Sequence, residues 1–352
     1  MNIIFFNTCF LGDYLIHSHV LNELKKKYRC NLIAVCSPYN SKIISKEEHI
    51  DEIIIYDHKW NFLQKLCTLK KILSKKYFIS FVGDAQPFSY FANYILKSKY
   101  KRGIINRKFK KCFIEFTFYK PFKFIANIIF DRYEIQTRPK YLKKKEYLPD
   151  KFINLFVDFK IKSKKIYFFN QNKKEEDNKN ILLNKINFKK YISFHMDHKW
   201  NDIKGIEKKL HKNIELLQKK TNYKILIFVY KNENKYFKIF EKKNNVINPI
   251  NFLIKYRNKN KNIFIVKNAN VFLEERIISN SSWNISCHSG FFVHTSAALN
   301  KKIIDIIPKK QVLVQSCWVP SRNYFSILKQ VDDVKFDIDI IFQNLISTIL
   351  KK

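Results

Sequence analysis

Only five glycines occur in 352 residues: Gly12, Gly83, Gly103, Gly205 and Gly290. Average usage is about 7%, so roughly four-fifths of the expected glycine is missing. The glycines are not spaced as GxGxxG, which excludes a dinucleotide site of the usual type. The seven cysteines are widely spaced, odd in number and contain no CxxC. That argues against a disulfide scaffold or a zinc ribbon. Cys9, Cys36 and Cys287 lie in or beside apolar runs, where reduced cysteine acts as a small hydrophobe. A reducing cytoplasm is the simplest compartment. No uncharged apolar stretch of about 18 residues exists, so no membrane-spanning helix is expected. The first residues read directly as a strand, without the layout of a signal peptide. No solenoid-period repeat is visible.

Acidic residues are also scarce. There are 30 Asp and Glu against 67 Lys and Arg, a formal net charge of +37. Such a field attracts polyanions: nucleic acid, an anionic membrane face or phosphorylated substrates. The chain is also crowded with Lys, Asn, Ile, Phe and Tyr, as an AT-rich genome would make it. The lysine excess is therefore a weak pointer to function. Basic residues are spread everywhere rather than gathered on one element, so nucleic acid is not the expected partner.

What is present is a rhythm. Residues 2–7 read as a strand and 13–27 as a helix, striped by Leu15, Val20, Leu21 and Leu24. Strands are expected at 31–36, 52–56, 77–82 and 102–106, and helices at 61–73 and 87–96. Residues 107–150 break the pattern with mixed basic and aromatic residues. The pattern restarts with strands at 190–195, 223–229, 262–266, 283–287 and 302–306. Helices are expected at 206–219, 250–256, 271–279, 290–299 and 338–350. Repeated β-α units of this length indicate α/β architecture, with parallel sheets covered on both faces. Two such domains in series imply a cleft lined by strand C-termini. The N-terminal domain is placed at 1–165, with an insert at 107–135. The C-terminal domain is placed at 188–335, followed by a terminal helix at 336–352.

Four corners carry candidate chemistry. Leu11-Gly12-Asp13 follows the first strand, and Asp13 is either a helix N-cap or a general base. Gly83-Asp84 ends another strand on the same edge, on what would be the acceptor side. His195-Met196-Asp197-His198-Lys199-Trp200 follows the first strand of the second half. Lys199 there is either one lysine among many or the charge that neutralises a diphosphate leaving group. Cys287-His288-Ser289-Gly290 opens the helix at 290–299. Its free N–H groups, with the Ser289 hydroxyl, form either a plain helix start or a phosphate cradle. Gly103 and Gly205 read as structural turns. Nine histidines include His17 with His19, His195 with His198, and His288 with His294, but without the firm spacing a zinc site needs. Asp337-Ile338-Asp339 resembles a DxD metal motif, yet carboxylates at a helix start are ordinary dipole partners. No metal is expected. The aromatic-basic stretch 107–130 is read as a packed lid or surface, as a contact with an anionic membrane, or as a single-strand binder.

Three segments together resemble the heptosyltransferase-type glycosyltransferases, glycosyltransferase family 9. Phe10-Leu11-Gly12-Asp13-Tyr14-Leu15, with its helix, is similar to that family's opening G-D segment. Asp197–Trp200 resembles its lysine loop before a tryptophan. Residues 277–299, IISNSSWNISCHSGFFVHTSAAL, resemble its most specific segment, although His288 stands where the family has Asp and one extra residue precedes His294. The segment Val229-Tyr230-Lys231-Asn232-Glu233 replaces a glycine-rich stretch. The resemblance implies a GT-B fold of two Rossmann-like domains and an inverting, metal-independent glycosyl transfer. It implies no cofactor beyond a nucleotide-sugar donor, ADP-heptose being one such donor. The acceptor would be lipid-linked or an oligosaccharide of the lipopolysaccharide-core kind. Asp13 would act as base and Lys199 would steady the leaving diphosphate. His288, Ser289, Gly290, His294 and Glu233 would line the donor pocket, with Gly12 and Asp84 on the acceptor side. The enzyme would work in the cytoplasm, at the inner face of the membrane. The alternative is a GT-B-like protein that binds an anionic glycan or nucleotide without catalysis.

Overall fold

The computed structural model describes residues 1–8, 11–84, 86–106, 120–136, 148–161, 190–229, 244–248, 254–256, 262–288, 290–319 and 323–351, with a few isolated positions between. They form two compact units, residues 1–170 and 171–352.

The first unit is a six-stranded sheet. Its strands are β1 (Asn2–Asn7), β2 (Asn31–Cys36), β3 (Glu52–Ile55), β4 (Tyr77–Val82), β5 (Ser98–Asn106) and β6 (Arg132–Gln136). They lie in the order β3-β2-β1-β4-β5-β6, and every pair is parallel. Continuous apolar runs make these strands: Ile3 to Phe6 and Leu32 to Cys36 are fully buried, as a sheet covered on both faces requires. Each such side chain removed from water contributes about 1.5–3 kcal/mol. The helices are α1 (Leu11–Tyr28), α2 (Pro38–Ile44), α3 (Phe62–Leu73), α4 (Pro87–Ile95), α5 (Lys120–Ile129) and α6 (Leu148–Asn154). Sequence-local signals start them. Ser37 caps α2 with Pro38 at its first position, and Asn61 and Gln64 form a reciprocal capping box on α3. Helix α1 packs with α6, while α3, α4 and α5 lie side by side.

The second unit is a nine-stranded sheet in the order β10-β9-β11-β8-β7-β12-β13-β14-β15. Its strands are β7 (Tyr191–Met196), β8 (Lys224–Val229), β9 (Asn245–Ile247), β10 (Ile254–Lys255), β11 (Ile263–Lys267), β12 (Trp283–Ser286), β13 (Ile303–Pro308), β14 (Tyr324–Val331) and β15 (Val334–Lys335). Only the two outer pairs, β10 with β9 and β14 with β15, are antiparallel. The helices are α7 (Ile206–Thr221), α8 (Val271–Asn280), α9 (Gly290–Ala298), α10 (Val312–Ser316) and α11 (Ile338–Lys351). Gly205 turns the chain into α7 at φ 80°, a left-handed conformation that favours glycine. Helix α11 packs on α7, and its first carboxylates meet Lys209 at 3.0 Å from Asp337 and 2.7 Å from Asp339. The DxD-like pair is therefore tied into helix packing.

Three expectations are corrected. The apolar run expected as a helix at 250–256 contains strand β10, because so short a run does not distinguish the two states. The stretch 107–135, expected as an insert, contributes α5 and the sixth strand β6; residues 107–119 lie outside the described part. Gly103 is not in a turn but inside β5. A Cβ there would lie 2.2 Å from the Phe130 ring, so close packing demands the glycine.

Candidate functional site

In an open parallel sheet, ligands bind beyond the strand C-termini where the strand order reverses. Each unit has one such point. In the first it falls between β1 and β4, since β2 and β3 extend one way and β4 to β6 the other. In the second it falls between β7 and β12, with β8 and β11 on one side and β13 and β14 on the other. Of the sequence-predicted residues, Gly12, Asp13 and Asp84 follow the strands at the first point, and Lys199, His288, Gly290 and His294 follow those at the second.

At the first point β1 runs into α1, and Gly12 and Asp13 occupy the first turn of that helix, half-buried. Asp13 sits where the helix dipole favours an anion. On the neighbouring strand, just past the end of β4, Asp84 is only 3% exposed. Its carboxylate accepts the Thr8 backbone N–H and, at 2.7 Å, the Thr8 hydroxyl. Burial pushes its carboxyl above the usual carboxylate range, against these hydrogen bonds. Asp84 thus fastens the chain leaving β1 instead of offering a free carboxylate on the acceptor side. Gly83 is a glycine for packing, because a Cβ would sit 2.7 Å from the Phe5 ring and 2.8 Å from His17. Beneath them, Asn40 donates to Asn7 at 2.8 Å, and the Asn7 amide meets His17 at 3.0 Å.

At the second point Lys199 follows β7, and its ammonium donates to the backbone carbonyl of His288, which follows β12. The loop carrying it is pinned from three sides. Asp197 accepts the Lys199 N–H at 3.0 Å, buried Trp200 donates to the His195 carbonyl at 2.8 Å, and the Cys287 thiol donates to the Lys199 carbonyl at 3.4 Å. His288 adopts a left-handed φ of 56°. A side chain not anticipated from the sequence holds it there. Asp305 on β13 is fully buried and accepts the His288 N–H at 2.7 Å, the Ser286 hydroxyl at 3.1 Å and the Tyr324 hydroxyl at 3.1 Å. The His288 ring lies 3.6 Å from the same carboxylate. A second such residue is Lys329 on β14, 8% exposed, which donates to the Lys199 carbonyl at 3.2 Å and the Cys287 sulfur at 3.3 Å.

Together these groups wall a pocket of about 430 Å³, lined by Lys199, His288, Lys310, Gln311, Lys329 and Lys335 among others. Four lysines line it against the one carboxylate of Asp202, 3.8 Å from the Lys329 ammonium, so the pocket is basic. Gly290, two residues after His288, opens α9, and a Cβ there would meet nothing within 4 Å. The first N–H groups of a helix have no partner within it and can bind an anion. His294, one turn further, lies with its ring tilted 46° and 5.5 Å from that of Trp318. Burial holds its imidazole down to about 4, with Asp305 pulling the other way, so it is neutral at pH 7. His195 is pushed to about 3 by burial and then by the Lys199 charge. The site's positive charge therefore rests on lysines. Ser289 and Glu233 lie outside the described residues. Among the described residues no three His, Cys, Asp or Glu side chains converge as a metal site, and no helix is long and apolar enough to cross a membrane.

Comparison with solved structures decides the architecture. The E. coli heptosyltransferase WaaC, solved with ADP, superposes at TM-score 0.64 over 98% of this chain and 99% of its own, at 12% identity. A family 9 glycosyltransferase from Veillonella parvula superposes at 0.63 over 100% and 97%, also at 12% identity. The chain has the GT-B fold. A UDP-GlcNAc 2-epimerase from Methanocaldococcus jannaschii superposes at 0.58 over 100% and 92%, with 12% identity. The GT-B fold thus serves more than one chemistry, and function must be argued from the site. No family model and no curated protein matches the sequence.

Proposed function

We propose that this chain is a glycosyltransferase that moves a sugar from a nucleotide-sugar to a hydroxyl of a lipid-linked or oligosaccharide acceptor, with inversion and without a metal. The observation that carries this reading is the basic pocket beyond β13 and β14, one wall of which is Lys199 and His288 from the β7–β12 reversal. There Lys199 and the open start of α9 offer cationic and N–H donors to a diphosphate. WaaC, of the same fold, is solved with ADP and with an ADP-heptose analogue, which supports a nucleotide-sugar donor and makes ADP-heptose the first to try.

In this mechanism Asp13 takes the proton of the acceptor hydroxyl. The oxygen attacks the anomeric carbon from the face opposite the diphosphate, and the bond from that carbon to the diphosphate oxygen breaks. The departing charge is met by Lys199 and by the N–H groups around Ser289 and Gly290. His288 and neutral His294 shape the pocket wall, Glu233 contacts the ribose, and Gly12 and the Thr8 segment held by Asp84 shape the acceptor side. The reaction belongs at the cytoplasmic face of the membrane, in building a surface polysaccharide such as a lipopolysaccharide core.

The test begins with a thermal-shift screen of nucleotide-sugars, ADP-heptose and UDP-N-acetylglucosamine included, because a binder raises the melting point by mass action. Asp13→Asn is expected to keep donor binding and the melting point while transfer falls about 10²–10⁴-fold. Full turnover by Asp13→Asn removes the base assignment. Donor binding without transfer or hydrolysis in the native chain replaces the enzyme with a binding protein, a reading favoured only by His288 standing where the similar enzymes carry Asp.

A further inference from the structure

Three neighbouring helices of the first unit turn large apolar side chains to solvent. On α3, Phe62 and Leu63 are 72% and 70% exposed; on α5, Phe124 is 68% exposed, with Ile128 one turn on; on α4, Phe91 and Tyr94 are exposed at i and i+3. Single exposed apolar residues are ordinary, whereas a set shared by packed neighbours marks an interaction face. Helix α3 packs on α4 and α4 on α5, so the six belong to adjoining helices. Their other sides enter the core through Ile72, Tyr90, Ala92 and Ala126.

The charge on the same helices identifies the occupant. None of α3, α4 and α5 contains an Asp or a Glu, while Lys70 and Lys71 stand exposed on α3 and Lys97 follows α4. Exposed aromatic and aliphatic side chains on helices that carry exposed lysine and no acid, the nearest in sequence being Asp131 just past α5, are the chemistry of a surface that enters the headgroup layer of an anionic bilayer. A second copy of the chain would meet the same lysines with its own, which disfavours self-association.

We propose that the outer face of α3, α4 and α5 is a docking surface for an anionic lipid bilayer. The face deepens the reading of a lipid-linked acceptor and takes its purpose from it, but it is tested without acceptor or donor. The full chain is floated with vesicles of phosphatidylcholine alone and of phosphatidylcholine with phosphatidylglycerol. The expected result is strong flotation with the anionic vesicles and weak flotation with the neutral ones. Phe62→Ser/Leu63→Ser/Phe124→Ser leaves every charge in place and is expected to lower the anionic partition at least tenfold. Lys70→Ala/Lys71→Ala is expected to lower it less and to leave the neutral vesicles unchanged. All changed positions are exposed, and melting points equal to the native chain's confirm the fold. If the triple variant floats like the native chain, the general positive field does the binding and the proposal is overturned. No flotation at all, or a native dimer by light scattering that the triple variant dissolves, overturns it equally. Donor binding measured on the triple variant separates the two readings: a variant that leaves the vesicles yet keeps its nucleotide-sugar shift fails only at the membrane.

Discussion

Replacing Asp305 should do more damage than replacing any residue that lines the pocket. Its carboxylate is fully buried and accepts from the His288 N–H at 2.7 Å and from the hydroxyls of Ser286 and Tyr324, each at 3.1 Å. In Asp305→Ala all three lose this acceptor. A buried donor left unsatisfied costs about 1–3 kcal/mol. The two hydroxyls can rotate toward other acceptors, but the backbone N–H cannot. Removing a buried charge also returns part of its desolvation penalty. The net loss is therefore about 3–5 kcal/mol, or roughly 6–20 °C in melting point for a unit of this size. Asp305→Asn keeps one oxygen for the His288 N–H and the Ser286 hydroxyl, and turns an amide toward Tyr324, whose hydroxyl can accept. Only the charge assistance disappears, about 1–2 kcal/mol. Function should be hit harder than stability. The carboxylate holds His288 at φ 56°, and the His288 carbonyl is what the Lys199 ammonium grips. Loosening one loosens the other, so nucleotide-sugar affinity should fall at least tenfold in Asp305→Asn. Melting curves and donor titrations of both variants, with Tyr324→Phe alone and combined with Asp305→Asn, complete a double-mutant cycle. An Asp305→Asn protein that melts and binds like the native chain, or a Tyr324→Phe effect that simply adds to it, would refute this account of the loop.

Lys199→Met should cut transfer by about 10²–10³-fold with little change in melting point, because the lysine is half-exposed and in the proposed mechanism meets only developing charge; comparable turnover would shift that role to Lys329 or Lys310. Buried histidines make stability depend on pH. His19 is 2% exposed and is held down to about 4 by burial. Below about 6.5 the unfolded chain accepts a proton that the folded chain refuses, so this stability is complete above about pH 6.5 and is lost as pH falls toward about 4. The slope is about 1.4 kcal/mol per pH unit for such a residue, and His19→Gln should flatten the acid limb of a melting-point profile; an unchanged slope would show that His19 keeps its proton equilibrium on folding.

The regular elements were legible because their signals are local. The apolar runs at 2–7, 31–36 and 77–82 coincide with β1, β2 and β4, and the helices expected at 61–73 and 271–279 coincide within a residue with α3 and α8, which Asn61 and Asn270 cap. Strands β6 and β14 were passed over because Arg132-Tyr133-Glu134-Ile135-Gln136 and Tyr324 to Val331 mix charge with apolar residues, as half-covered strands near a sheet edge do. Strand-end chemistry was legible too: Lys199 and His288 meet, 89 residues apart in sequence. Asp305 and Lys329 were not foreseen, although each leaves a mark. A single acid inside Ile303-Ile304-Asp305-Ile306-Ile307, or a lysine inside a strand, must be satisfied by neighbours that the sequence does not name. Asp84 shows the reverse limit, since its position at a strand end suggested ligand contact while its bonds to Thr8 are visible only in three dimensions.

Gly290 has a consequence beyond its place in the pocket. Gly83 and Gly103 are spared replacement by neighbours that would collide with a methyl, and Gly205 by its backbone angle. Among the described residues Gly290 has neither protection: its φ is not positive and a methyl would enter empty space. In a composition that has shed nearly all its glycine, mutational drift should have erased a glycine the protein itself does not require. In the proposed reaction the donor diphosphate fills that space, so Gly290→Ala is expected to keep the melting point while nucleotide-sugar binding falls with the donor's closeness to the new methyl.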